Sequence, residues 1–465
     1  MNDQRPIQVH VNALRNTFRD GVTRPLSWRE GQLRALDRML VECEAEIEQA
    51  LFDDLGKSPV ESQVAEIGFL RTEIAYALKH LRSWAAPSRV SVPAVVMPAT
   101  AWITPEPLGT VLVIAPWNYP LMLALSPVIG AIAAGNCVVV KPSELAPNTS
   151  KVIAERLVTY LDVRAVRVIE GGVEETTELL EHRFNHIFYT GNGRVGRIIA
   201  RAAAEHLTPT TLELGGKSPL YIDESVPLAA AAKRIVWAKF MNAGQTCVAP
   251  DYVLGSRETL AALEPHLARA VERMYGTAIH DNPDFGRIVS ERHCERLIDF
   301  LGDGRVVTGG SYRLSDRFIA PTVLADVSRD APVMREEIFG PILPLIEVSD
   351  LSDAIDLVNE GDSPLSAYVF STDPETRHRW EAETSSGALT FGAPVLHLTV
   401  PELPFGGVGE SGMGAYHGKR SFDLMSHAKP VLSKPLKPDT LGPTIMPPFT
   451  EAKERIVRDV LGKLR

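Results

Sequence analysis

From Pro107 to Val140 the chain carries no charged residue, and no other stretch limits its fold so strictly. A run of this kind invites a membrane reading, because a spanning helix needs about 20 consecutive apolar residues. Here Pro116, Pro120 and Pro127, with Asn118 and Asn136, cut it into shorter pieces. They are a strand at Val111 to Ala115, a helix from about Pro127 to Ala134, and a strand at Val138 to Val140. Strands covered on both faces lose their polar positions, so the run is expected to be a buried parallel β-α-β unit.

The alternation continues downstream. A helix near Lys151 to Leu161 and strands at Val166 to Ile169 and His186 to Tyr189 predict an open, mostly parallel α/β sheet. Directly after the last strand, Gly191-Asn-Gly193-Arg-Val-Gly196 opens a helix running to about Glu205. This is the G-x-G-x-x-G dinucleotide pattern in its strand-to-helix setting, and Glu213 stands about where an acid would bind a ribose. The plainer alternative is a glycine turn that packs helix on strand.

Past Leu214-Gly215-Gly216-Lys217 the pattern starts again, which places a boundary near Glu213. Strands at Tyr252 to Leu254, Val306 to Thr308, Leu343 to Glu347, Ala367 to Phe370 and Ala388 to Phe391 alternate with helices at Glu258 to Tyr275, Glu291 to Leu301 and Leu351 to Glu360. That is a second α/β domain. Pro404 to Gly414 is too glycine-dense for regular structure and reads as a loop near a ligand or another backbone.

Upstream of the uncharged run the chain reads as helices. Leu33, Leu36, Leu40, Cys43, Ile47 and Leu51 step as one helix face, behind a capping-box pattern at Ser27 and Glu30; Ser58-Pro59-x-Glu61 repeats the start signal. Pro87 to Thr104 is an excursion strand or a linker, the proline-rich tail after Ser426 a surface extension, and Thr450 to Leu464 a short amphipathic helix.

A formal net charge of -10 argues against nucleic acid or an anionic membrane as the main partner. Four widely spaced cysteines, Cys43, Cys137, Cys247 and Cys294, form no Cys-x-x-Cys pair. Neither a disulfide framework nor a metal site is expected, and the compartment reads as reducing. Of the four, Cys247 stands apart, in a short polar turn between an alanine-rich helix from Leu228 to Met241 and a strand. A thiolate held there would be a rigid, reachable nucleophile; the commoner fate of a cysteine is inert burial.

Five stretches then coincide with one family. Pro116-Trp-Asn-Tyr-Pro120, Lys141-Pro-Ser-Glu144, Leu212-Glu-Leu-Gly-Gly-Lys217, Gly244-Gln-Thr-Cys247 and Glu337-Ile-Phe-Gly-Pro341 occur in the order and rough spacing of the aldehyde dehydrogenase superfamily, which the chain resembles over nearly its whole length. Cys247-x-Ala-Pro-Asp-Tyr252 and Ser411-Gly-Met-Gly-Ala-Tyr-His-Gly-Lys419 look most like the class 3 branch, which handles fatty and aromatic aldehydes.

The resemblance implies a Rossmann-type cofactor domain (1-84 and 107-212), a second α/β catalytic domain (213-392), a small β oligomerisation extension built from bridging elements (85-106 and 393-430), and a C-terminal extension (431-465). It reassigns Glu213 from ribose ligand to general base, with Cys247 as nucleophile and the Asn118 amide on the developing oxyanion. For NAD or NADP it implies Lys141 and Glu144 at the adenosine ribose, Gly191, Asn192 and Gly196 at the phosphates, Glu337 at the nicotinamide ribose, Phe339 near its ring, and Trp117 and Gly215 beside them. Glu144 should repel a 2'-phosphate, yet the branch often tolerates either cofactor. Tyr119 and Phe405 either line an aromatic substrate entrance or fill the core, and His417 borders the same pocket.

The function implied is oxidation of medium- to long-chain aliphatic or aromatic aldehydes to acids by a cytoplasmic homodimer. The tail lacks the apolar anchor of membrane-bound relatives, so a soluble enzyme is expected. Transfer of the acyl group to coenzyme A and a non-catalytic protein of the same fold are the alternatives; the presence of Glu213 speaks against the first.

Overall fold

A computed structural model describes residues 6–462. Two sheets dominate it. The first has six strands in the order Gly412–Met413, Thr210–Glu213, His186–Thr190, Thr110–Ile114, Cys137–Lys141 and Val166–Val168, parallel apart from the short strand at one edge. Within it the uncharged run supplies the two central strands, paired in register from Thr110 with Cys137 to Ile114 with Lys141. Successive side chains of a strand point to opposite faces. Accordingly Val111, Val113, Val138 and Val140 pack under the helices Leu26–Glu42, Glu44–Leu55, Gly68–Trp84 and Pro147–Tyr160, while Leu112, Ile114 and Val139 meet Ile7–Arg19 and Gly193–Glu205 on the other side.

The second sheet has seven strands: Arg305–Thr308, Thr322–Ala325, Ile342–Glu347, Tyr252–Gly255, Pro219–Ile222, Ser366–Phe370 and Ala388–Phe391. All neighbours are parallel except the first pair. A third, antiparallel sheet joins Ser88–Val90, Thr100–Pro107 and Ser426–Ser433.

Several expectations are corrected. The helix expected from about Pro127 begins at Met122, with Pro127 inside it; every residue from Leu123 to Ala134 is buried, and that packing outweighs the backbone bond proline cannot make. Ser27 is not a cap: the helix starts at Leu26 behind Pro25, which places Ser27 already inside. Ser58 does cap, accepting from the Glu61 N–H. The face from Leu33 to Leu51 belongs to two helices that break at Cys43, all six residues remaining buried.

The proline-rich tail begins within a strand, Ser426–Ser433, tolerated because it lies at the sheet edge, where Pro430 pairs with Ile103. The strands Pro219–Ile222 and Thr322–Ala325 and the helix Pro374–Glu383 were not expected. In the tail, the helix expected to reach Leu464 is described as Glu451–Gly462; its last positions lie outside the described residues. Among the described residues no helix is long and apolar enough to cross a membrane.

Candidate active site

The helix Leu228–Phe240 ends in a turn in which Asn242, Ala243 and Gly244 take φ of 52°, 51° and 76°. Side-chain-bearing residues pay roughly 1–2 kcal/mol for left-handed backbone, so something must hold them there. Asn242 Nδ2 donates to the carbonyls of Asn118 (2.7 Å) and Gln245 (3.1 Å). Gln245 Nε2 donates to the carbonyls of Asn242 (3.0 Å) and Arg287 (2.9 Å), and its Oε1 accepts from Val289 N–H (2.9 Å). Gly244 cannot be larger, since a Cβ there would stand 2.2 Å from Gly340 O. This scaffold presents Cys247, half-buried and free.

Burial first, and then the nearby carboxylates of Glu337 and Glu213, push the Cys247 thiol up; the backbone N–H groups of Cys247 and Val248 act against them. The resting group is therefore a thiol. Asn118, buried in the loop after Thr110–Ile114, reaches the same turn: its Nδ2 donates to Gln245 O at 3.1 Å. An amide nitrogen has two hydrogens, so a second donor remains beside the cysteine.

Glu213 ends its strand against the glycine-dense segment, whose Gly412 pairs with it. Gly412 takes φ 150°, and a Cβ on it would lie 2.3 Å from Leu212 O, which accounts for a glycine at this contact. The expected loop therefore contains a short strand, Gly412–Met413. Among the described residues neither Glu213 carboxyl oxygen, both buried, has a hydrogen-bond partner, and burial alone raises its pKa well above the ordinary carboxylate range. Glu213 is thus near enough to Cys247 to act on its ionisation, and Asn118 bonds the turn that carries the cysteine.

Of the residues expected at a dinucleotide, Trp117, Lys141, Glu144, Gly191, Asn192, Gly196 and Gly215 follow strands of the six-stranded sheet, whereas Glu337 and Phe339 come from the segment leading into Ile342–Glu347 of the second sheet. Asn192 caps the helix Gly193–Glu205, its Oδ1 accepting from Val195 N–H (3.0 Å). Bare backbone is needed here: a Cβ on Gly191 would lie 2.2 Å from the Tyr189 hydroxyl, and one on Gly196 3.0 Å from Leu214 Cδ2. Free N–H groups at a helix start favour an anion, so this cradle fits a pyrophosphate. Lys141, buried, donates to Glu144 (2.9 Å) and to the carbonyls of Pro142 (2.9 Å) and Gly171 (2.6 Å), while the Glu144 carboxylate stays half exposed. Glu337 is folded over Gly215, where a Cβ would meet its Oε2 at 2.1 Å. Burial, then Asp251, raises its pKa to about 8, and Gly216 N–H opposes the rise. Phe339, at φ 50°, meets Trp117 edge-on with ring centres 5.3 Å apart.

Tyr119 and Phe405 are both buried. The Tyr119 hydroxyl bonds Thr246 Oγ1 at 2.6 Å, and Phe405 stacks on His417 at 5.3 Å. A cavity of about 330 Å³ opens beside His417, lined also by Val64, Phe69, Leu398 and Pro401 and by the polar Gln63, Thr72, Glu73 and Thr399. Neither Tyr119 nor Phe405 lines it; Phe69 and Leu398, which the sequence did not single out, do. Burial holds the His417 imidazole down to about 3, so it is neutral. Sequence reasoning also passed over Gln245 and Asn242, whose motif neighbour Cys247 was the signal available.

A thiol, a buried carboxyl near enough to act on its ionisation and an amide bonded to the thiol's turn, in a chain that also carries a glycine-lined helix start, fit a dinucleotide-dependent oxidoreductase that works through a cysteine. Comparison narrows this: the model of the aldehyde dehydrogenase family matches residues 2–431, and the chain belongs to that family. It is an NAD(P)-dependent aldehyde dehydrogenase. The chain is 46% identical to mouse aldehyde dehydrogenase family 3 member B2, over 98% of this chain and 95% of that one. To aldehyde dehydrogenase family 3 member A2 of Macaca fascicularis it is 47% identical, over 96% and 92%. Among solved structures, a substrate-bound state of Staphylococcus aureus AldH superposes with a TM-score of 0.96 at 40% identity, covering 98% of this chain and 100% of that one. A Mycobacterium tuberculosis aldehyde dehydrogenase complexed with NAD+ gives 0.79 at 28% identity, covering 91% and 89%.

Proposed function

We propose that Cys247, Asn118 and Glu213 carry the oxidation of medium- to long-chain aliphatic or aromatic aldehydes to free carboxylic acids. The observation that supports this best is the Glu213 carboxyl, buried without a partner and close enough to Cys247 to raise the thiol's pKa. A buried carboxyl without a bond is costly, and its use is to receive a proton from a molecule that arrives later.

The Cys247 thiol releases its proton to solvent, Sγ bonds to the aldehyde carbon, and the carbonyl electron pair moves to oxygen. The Asn118 amide and the Cys247 backbone N–H donate to that oxyanion. A nicotinamide dinucleotide, when bound, accepts the hydride that leaves the carbon. Glu213 then takes a proton from water as the water oxygen bonds to the acyl carbon, and Sγ departs as thiolate with release of the acid. Lys141 and Glu144 would hold the adenosine ribose, the Gly191 to Gly196 turn the pyrophosphate, and Glu337 with Gly215, Trp117 and Phe339 the nicotinamide end.

The Val64, Phe69, Leu398 and Pro401 part of the cavity beside His417 suits an apolar chain or ring, with Gln63, Thr72, Glu73 and Thr399 on its polar side and neither Cys247 nor Glu213 in its lining. The similarity to family 3 members points the same way. In this reading the six-stranded unit (1-84 and 107-212) binds the dinucleotide, 213-392 carries the cysteine, and the three-stranded sheet mediates a cytoplasmic homodimer, with 431-465 as an appendage. Sedimentation tests the dimer.

The test of function is an aldehyde panel assayed with NAD and with NADP, without coenzyme A. Reduced cofactor and free acid in equal amounts are expected from octanal or benzaldehyde, and none from Cys247→Ala. A strict need for coenzyme A, or robust turnover by the Cys247→Ala variant, would remove this reading.

A further inference from the structure

Lys57 is fully buried, on the connector between the helix Glu44–Leu55 and the next turn, and nothing in the chemistry above uses it. Its ammonium donates to the backbone carbonyl of Asn118 at 2.8 Å and to Glu66 Oε1, and it stands 4.0 Å from the centre of the Tyr119 ring. Those contacts account for its three hydrogens. Glu66, also fully buried, uses its other oxygen to accept from the N–H groups of Leu121 (2.9 Å) and Met122 (3.0 Å).

The two side chains therefore grip one loop twice. Lys57 holds it at Asn118, and Glu66 holds it three and four residues later, where the helix Met122–Ala134 begins. That helix has orphan N–H groups at its start, and the Glu66 carboxylate satisfies the entry to it. Glu66 reaches inward from a π-helical turn, Gln63–Ile67, a rare widening that inserts one residue per turn and recurs at functional sites. The turn closes with Gly68 N–H donating to Gln63 O, and a Cβ on Gly68 would stand 2.6 Å from that oxygen.

Replacing a buried ion pair by apolar groups of like size often costs no stability, so stability alone is weak grounds for keeping one. What this pair does is local. The Asn118 carbonyl accepts from Lys57 on one side and from Asn242 Nδ2 on the other, while its side-chain amide donates to Gln245 O. Asn118 is thus fixed at backbone and side chain between Lys57 and the cysteine turn.

We propose that Lys57 and Glu66 are positioning residues for the oxyanion donor: they set the backbone of Asn118 so that its free amide hydrogen aims at the carbonyl bound by Cys247. This rests on the oxyanion role given to Asn118 above. A misplacement of about 1 Å at a reacting centre can cost on the order of 100-fold in rate, so the pair need not touch substrate to matter.

The experiment is a double-mutant cycle on the full chain, reading kcat and the KM for NAD. Asn118→Ala should lower kcat by about 100-fold, as loss of one oxyanion donor does. Lys57→Met should lower kcat by about 10-fold or more, leaving the KM for NAD within about twofold, and in the Asn118→Ala background it should change kcat by less than about twofold. Equal losses in both backgrounds, or an unchanged kcat in Lys57→Met, would overturn the proposal. An unchanged kcat in Asn118→Ala alone would instead remove the oxyanion assignment. Because Lys57→Met leaves the Glu66 charge unpaired, Lys57→Met with Glu66→Gln is run on the same grid, with the same expectations, should the single variant fail to fold.

Discussion

The Asn118 side chain donates to the carbonyl of Gln245 at 3.1 Å, two residues before Cys247, across 127 positions of sequence. One partner comes from the loop after Thr110–Ile114, the first strand of the uncharged run, the other from the turn that leads into the second sheet. This bond ties the loop after a strand of the first sheet to the turn that carries Cys247. A nucleophile on one unit and an oxyanion donor on the other can then be held to a fixed separation without either being on a mobile segment.

Glu213→Gln separates the two halves of the reaction. The amide keeps the shape of the buried side chain but cannot accept a proton from water. Stopped-flow mixing with an aldehyde and NAD should show a burst of NADH close to one per enzyme, followed by turnover slowed by about 10²–10⁴-fold. Loss of the burst itself would place Glu213 earlier in the sequence of steps. In the unmodified enzyme the raised pKa of Glu213 predicts a turnover that climbs with pH, because the carboxyl must lose its proton before it can act.

Glu337 opposes ionisation of Cys247, and its own pKa is raised to about 8. Above pH 8 it carries a charge that disfavours the thiolate; well below, it is protonated and neutral. Glu337→Gln should therefore speed alkylation of Cys247 by iodoacetamide at pH 9 by about threefold to tenfold and have little effect at pH 6. Mass spectrometry of the Cys247 peptide against time measures it. Equal rates in variant and parent at pH 9 would show that the two groups do not sense each other.

Much of this architecture was legible because its cause is local. Val111 and Val138 announce a doubly covered sheet by the absence of charge around them, and Gly191 to Gly196 announces a bare helix start by its spacing. The extent of the helix holding Pro127 was not legible, because burial from Leu123 to Ala134 overrode a local breaker. The strand containing Pro430 was hidden for the same reason, its partner lying far back at Ile103. Glu213 is the instructive case. Its spacing from the glycines suggested a ribose ligand, while its burial without a partner beside Cys247 depends on contacts that no spacing encodes. Lys57 and Glu66 left no mark beyond a helix-start signal at Ser58, since their roles arise from the carbonyl and N–H groups of a loop some 60 residues away in the chain.

Gly215→Ala probes the nicotinamide end without touching the thiol. Its backbone is not left-handed, and the atom a methyl would meet, Glu337 Oε2 at 2.1 Å, is the far end of a flexible side chain. The fold should survive while Glu337 is displaced, raising the KM for NAD about tenfold, roughly the worth of one hydrogen bond to a charged group. Gly412→Ala is the contrast: it combines φ 150° with a clash at 2.3 Å against the Leu212 backbone. That variant should lose about 2 kcal/mol or more of stability. Melting curves for both, beside NAD titrations, distinguish the two outcomes.

Glu73 gives the enzyme a pH-dependent stability of its own. Among the described residues one of its carboxyl oxygens, buried, has no partner, and burial raises its pKa from 4.5 to about 7, against a smaller opposing pull from the Ser126 hydroxyl. The folded state therefore holds a proton that the unfolded chain releases between those values. Its contribution to stability is fully present below pH 4.5 and is lost as pH rises through 7. The full shift would correspond to about 3 kcal/mol, and solvent in the cavity that Glu73 borders reduces this to about 2 kcal/mol. Glu73→Gln stays neutral at every pH, so urea unfolding should show the parent losing stability relative to the variant by that amount between pH 5 and pH 8. Parallel stability profiles for the two proteins would mean that the Glu73 carboxyl is solvated in the folded state, and with it the cavity wall on that side of His417.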